Sequence, residues 1–72
     1  MIKIYGNCPN CNKLKARFTD AQVEKLPLVM KEFIKHKWET QPMITYNDEL
    51  VEYNIGNMDD AETKINELLK KE

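Results

Sequence analysis

The stretch "YGNCPNC", residues 5–11, holds both cysteines of this 72-residue chain, and the reading of the rest follows from it. Just ahead of and into it, "IKIY" at residues 2–5 alternates as a strand does, with Ile2 and Ile4 on one face. Gly6 and Asn7 break that strand. Pro9 follows Cys8, and proline suits the first helical position because its missing N–H would find no intrahelical partner there. The chain therefore passes from strand to helix at the cysteines. In that helix Cys11, Leu14 and Phe18 share a buried stripe, while Lys13, Lys15 and Arg17 point elsewhere.

Further along, residues 22–26 alternate and are stopped by Pro27, giving a second short strand. From Leu28 the pattern turns helical, with Met30, Phe33, Ile34 and Trp38 on one face. "TQP" at residues 40–42 ends that helix, since a residue before proline is pushed away from helical geometry. "MITY" (43–46) and "LVEYNI" (50–55) flank a turn at Asn47 and Asp48 and read as an antiparallel hairpin. Gly56 and Asn57 break its second strand. "DDAETKINELLKK" (59–71) is an amphipathic helix with Ala61, Ile65, Leu68 and Leu69 as its stripe, and Asp59 with Glu62 is spaced as a capping box. The expected order is β1α1β2α2β3β4α3. It forms an α/β domain with one four-stranded mixed sheet flanked by helices.

Length allows one modest core, so a single domain over residues 1–72 is expected. Hydrophobic residues at 42% and charged residues at 32% describe a soluble globular chain. No apolar run approaches the roughly 18 residues of a membrane span, and "MIKIYG" lacks the long apolar region of a secretory signal. A cytoplasmic protein is expected, with no membrane partner. A net charge of −1 gives no sign of a nucleic-acid binder. Residues 1–38 carry eight Lys or Arg against three acids, +5, and residues 39–72 three against nine, −6. Either these are solvated helix faces that happen to differ, or Lys13, Lys15 and Arg17 favour a thiolate and attract an acidic partner.

A disulfide between Cys8 and Cys11 would close so small a loop that it could stabilise the fold little. In a reducing compartment the pair is better read as redox-active or metal-binding. Zinc would need further ligands, with His36 the lone histidine, so a second chain or carboxylates would have to supply them. His36 itself, between Lys35 and Lys37, reads as a solvated helix residue, and Tyr5 and Trp38 as core or rim packing. Cys8 falls at the N-cap of the first helix, where unpaired N–H groups and the helix dipole favour an anion. It is the candidate nucleophile, and Cys11, one turn in, the candidate resolving thiol.

With "TQP" before the third strand and "IGNMD" before the last helix, "YGNCPNC" resembles the glutaredoxins of the thioredoxin superfamily, and the resemblance runs over essentially the whole chain. It implies a thioredoxin fold and dithiol–disulfide exchange at Cys8 and Cys11, with Pro9, Asn10 and Tyr5 in support. It further implies that Pro42 is a cis-proline facing the disulfide and that the backbone of Gln41 pairs with an extended substrate segment. Thr40, Gln41, Pro42, Gly56, Asn57 and Asp59 form the implied substrate-binding set, although Asp59 reads equally well as a helix cap. No bound cofactor is implied. Glutathione is the implied reductant in one branch of the family, yet Tyr5 and Glu39 stand where positive charge would help. The chain is also similar to small redoxins that donate electrons to ribonucleotide reductase and are reduced by a thioredoxin reductase. A monomer acting on a protein disulfide is expected. The rival is a binding module in which the thiols of two chains hold an iron–sulfur cluster or zinc.

Overall fold

In a computed structural model describing residues 1–72, the elements are β1 (Ile2–Tyr5), α1 (Pro9–Ala16), β2 (Val23–Leu26), α2 (Met30–Lys35), β3 (Met43–Tyr46), β4 (Glu49–Leu50) and α3 (Met58–Leu69). The strands make one mixed sheet in the order β2-β1-β3-β4, as expected for the thioredoxin fold. β1 is central. It runs parallel to β2, with Ile2 opposite Val23, and antiparallel to β3, with Tyr5 opposite Met43. Strand alternation then divides its side chains between two layers. Ile2 and Ile4 join Val23, Ile44, Leu14, Phe18, Ala61 and Ile65 in a buried cluster under α1 and α3. Tyr5 points the other way and packs with Phe33 and Met43 beneath α2.

The second helix is shorter than its apolar pattern suggests. It stops at Lys35, well before "TQP". Lys37 adopts a left-handed backbone (φ 56), the Trp38 N–H reaches the Phe33 carbonyl at 2.9 Å and the Lys37 N–H the Ile34 carbonyl at 3.1 Å. Those bonds make a Schellman end, which satisfies the last carbonyls and turns the chain away. Of the expected apolar face only Phe33 is buried. Met30 and Ile34 are 59% and 71% exposed, and Trp38 lies beyond the helix, against Tyr53 at a ring-centroid distance of 5.9 Å.

The hairpin forms around Asn47 and Asp48, both at positive φ, the backbone that a tight two-residue turn demands. Its second strand is only two residues long instead of spanning 50–55. Beyond Leu50 the Val51 N–H still bonds the Ile44 carbonyl, but the Tyr53 hydroxyl then turns inward to donate to the Pro42 carbonyl. The N-cap of α3 is Asn57, whose side chain accepts the Asp60 N–H at 3.1 Å, so Asp59 and Glu62 form no capping box. Both instead face Arg17, at 3.4 and 3.3 Å.

His36 departs from expectation too. Its side chain is 10% exposed, set between Glu32 and Asp48, because the Schellman turn folds the end of α2 back against the β3–β4 turn.

Candidate active site

The cysteines sit where β1 hands the chain to α1. Cys8 is the N-cap of α1 in extended backbone (φ −69, ψ 162), Pro9 is the first helical residue, and the Asn12 N–H bonds the Cys8 carbonyl at 3.0 Å. The Cys8 sulfur does what a capping oxygen does elsewhere. It accepts the Cys11 N–H at 3.1 Å, one of the donors that a helix leaves unpaired in its first turn. No acidic residue lies in that turn to compete with a negative sulfur. Cys8 and Cys11 are joined as a disulfide with their α-carbons 5.0 Å apart. Cys8 is half-buried, whereas Cys11 is sealed.

Gly6 makes that seal possible. At φ 145 it occupies a backbone region that side chains rarely adopt, and a Cβ there would stand 2.5 Å from the Cys11 sulfur. Only glycine lets the strand end lie so close. On the other side, the Gln41 Oε1 approaches the Cys11 sulfur at 3.8 Å and accepts the Asn7 N–H at 2.9 Å. Asn7 Oδ1 in turn accepts the Leu28 N–H at 3.0 Å. Asn7 and Gln41 thus tie the cysteine loop, the start of the α2 segment and the proline loop together. From sequence, Gln41 carries only a backbone role and Asn7 only the break after β1; their side-chain ties come from the fold. The asparagine's position, between a strand-breaking glycine and a helix cap, was the available signal.

The basic residues of α1 are committed elsewhere than expected. Lys15 donates to the carbonyls of Gly6 and Leu26, each at 2.6 Å, clamping the ends of β1 and β2 to the helix. Burial, and then the neighbouring Lys25, push its pKa below the ordinary lysine value. Arg17 is occupied by Asp59 and Glu62. Lys13 is exposed and takes part in no ion pair.

The Gln41–Pro42 peptide bond is cis, as the resemblance implies. Asn10, Gln41, Pro42, Gly56 and Asn57 converge, with Tyr53 and Met58, on a cavity of about 30 Å³. Two residues of the implied substrate-binding set, Thr40 and Asp59, do not line it, nor do Cys8, Pro9, Cys11 and the supporting Tyr5. Tyr5 is buried beneath α2, Thr40 is half-buried with a hydroxyl that has no partner, and the Asp59 side chain is 90% exposed toward Arg17. On the far side of Gln41 lies a larger groove, about 540 Å³, walled by Leu28, Phe33, Ile34 and Trp38, with Lys37 and Glu39 at its charged edge. Desolvation raises the pKa of Tyr53 to about 12, which keeps its hydroxyl protonated and donating to Pro42.

No helix is long and apolar enough to cross a membrane. No family model, no curated protein and no solved structure matches this chain. The chain is a small mixed α/β protein with a Cys8–Cys11 pair at CxxC spacing, consistent with a thioredoxin-like redox protein.

Proposed function

We propose that the protein is a glutaredoxin-like dithiol–disulfide oxidoreductase that reduces protein disulfides. One observation carries this reading: the Cys8 sulfur caps α1 and accepts the Cys11 N–H, while Cys11 lies sealed one turn behind it. In the reduced protein, that N–H and the positive helix end favour the Cys8 thiolate. The thiolate attacks one sulfur of a substrate disulfide. A Cys8–substrate bond forms, the substrate bond breaks, and its second sulfur leaves as a thiolate that takes a proton from water. Cys11, as thiolate, then attacks the Cys8 sulfur. The Cys8–Cys11 bond forms, the first substrate sulfur is expelled, and two electrons have passed from the protein to the substrate.

In this reading an extended substrate segment pairs with the Gln41 backbone beside Pro42, and the apolar groove that Gln41 borders takes its neighbouring side chains. The groove supports a protein substrate, and the resemblance supplies ribonucleotide reductase as the candidate. The same groove favours a thioredoxin reductase over glutathione as electron donor. The groove edge offers glutathione one cation, Lys37, set against Glu39, and Tyr5 is buried beneath the groove without lining it. A shared iron–sulfur cluster or zinc between two chains fits less well, because a second chain's ligands would have to reach a sealed Cys11.

The test is a pair of variants in a disulfide-reduction assay. Cys8→Ser abolishes turnover, and Cys11→Ser accumulates a mixed disulfide with the substrate through Cys8. Full dithiol activity in Cys11→Ser would refute the assigned roles. Reduction by glutathione as fast as by thioredoxin reductase with NADPH would refute the choice of donor.

A further inference from the structure

The turn joining β3 to β4 lies at the end of the sheet remote from the cysteines. Met43, next to Pro42, pairs with Tyr5 at the cysteine end, and Tyr46, next to the turn, pairs with Ile2. At that remote end three ligating side chains meet. Glu32 and His36 are four residues apart, so they share one face at the end of α2, and Asp48 comes from the turn. One ligand atom from each lies within 4.8 Å of the other two.

The cluster is incomplete as an ion-pair network. His36 Nε2 is 3.7 Å from Glu32 Oε2 and 4.0 Å from Asp48 Oδ1, beyond hydrogen-bond reach of either. The imidazole is nine-tenths buried, yet its Nε2 and the Glu32 Oε2 are buried with no partner at all. Buried polar atoms are costly when left unpaired. Lys35 takes the other Asp48 oxygen, Oδ2, at 2.6 Å and leaves Oδ1 facing the histidine.

We propose that Glu32 Oε2, His36 Nε2 and Asp48 Oδ1 bind a divalent first-row transition metal ion, with water completing its coordination and Lys35 orienting Asp48. Zinc bonds of about 2.0–2.2 Å to nitrogen and oxygen place neighbouring ligand atoms roughly 3–3.5 Å apart, so small side-chain rotations bring these three onto one ion. The imidazole selects zinc, nickel or cobalt over calcium and magnesium. Binding takes the lone pair of neutral Nε2 and moves no electrons. It would staple the six-residue α2 to the hairpin in a chain small enough to gain from such a link.

The test uses the full chain with Cys8 and Cys11 oxidised, so that no thiol can ligate. Zinc chloride is titrated while the His36 ring resonances and Tm are followed. The expected result is saturation at one equivalent, displacement of the His36 resonances, and a Tm rise of about 15 °C at 100-fold excess over Kd. Calcium and magnesium at equal concentration leave Tm in place. His36→Gln abolishes the zinc effect, and Asp48→Asn weakens binding at least about 10-fold. Stationary His36 resonances on zinc addition, or a full Tm rise in His36→Gln, would overturn the site. Neither result bears on the chemistry of Cys8 and Cys11.

Discussion

On one face of the sheet, Ile2, Ile4, Val23 and Ile44 meet Leu14, Phe18, Ala61 and Ile65 in a continuous buried cluster; on the other, the covered apolar side chains are only Tyr5, Phe33 and Met43, beside a buried Thr45. The first face carries α1, and with it the sulfur that must be held still. The second carries a six-residue helix with two large side chains in solvent and a groove leading to Gln41. Rigidity lies where the proposed chemistry needs an exact geometry. Openness lies where a substrate would dock.

The largest expected effects test this contrast in stability. Leu14→Ala removes a fully buried side chain on the α1 face and is expected to cost about 3 kcal/mol in urea unfolding, whereas Ile34→Ala, 71% exposed on α2, changes stability by less than about 0.5 kcal/mol. Equal costs would mean that the two faces are packed alike. Next in size is Gly6→Ala. Its φ of 145 and the 2.5 Å approach to the Cys11 sulfur predict a loss of about 2 kcal/mol and a displaced α1 N-terminus, visible as altered amide shifts at Cys8 and Cys11.

Tyr53 links the two regions through Pro42, and Tyr53→Phe is expected to cost about 1 kcal/mol by leaving that carbonyl without its donor. Its ionisation gives a pH signature. The folded pKa is raised to about 12 from the ordinary 10.0 by burial. Folding therefore favours the neutral phenol, and this contribution is intact below pH 10 and is lost as pH rises from 10 toward 12. Absorbance titration should show a tyrosine ionisation step near pH 12 that Tyr53→Phe removes. The smallest effect is expected at Arg17→Ala. Its pairs with Asp59 and Glu62 are solvent-screened, so the loss should stay below about 1 kcal/mol and shrink in salt.

The path from strand to cysteine to helix was legible because each signal in it is local: the alternation of "IKIY", the break at Gly6 and the proline at the first helical position. The stripes of α1 and α3 were legible for the same reason. What escaped depended on distant partners or on unusual backbone. Lys37 ends α2 in a left-handed conformation without a glycine to announce it, so the helix was read through to "TQP". The hairpin's second strand was overread because Val51 and Tyr53 have strand-like residue types while Tyr53 is drawn to Pro42. Asn57 rather than Asp59 caps α3, a shift of two residues within a run of cap-forming side chains. The burial of His36 arises only when the end of α2 meets a turn twelve residues on, which no pattern within the helix reveals.

Alkylation of Cys8 in the reduced protein, followed as a function of pH, tests the central claim most directly. Cys11 is sealed, so Cys8 is the thiol that iodoacetamide reaches. Anion stabilisation by the Cys11 N–H and the end of α1 predicts a rate profile with its midpoint well below the ordinary cysteine value of about 8.5. A midpoint at or above that value would contradict the account.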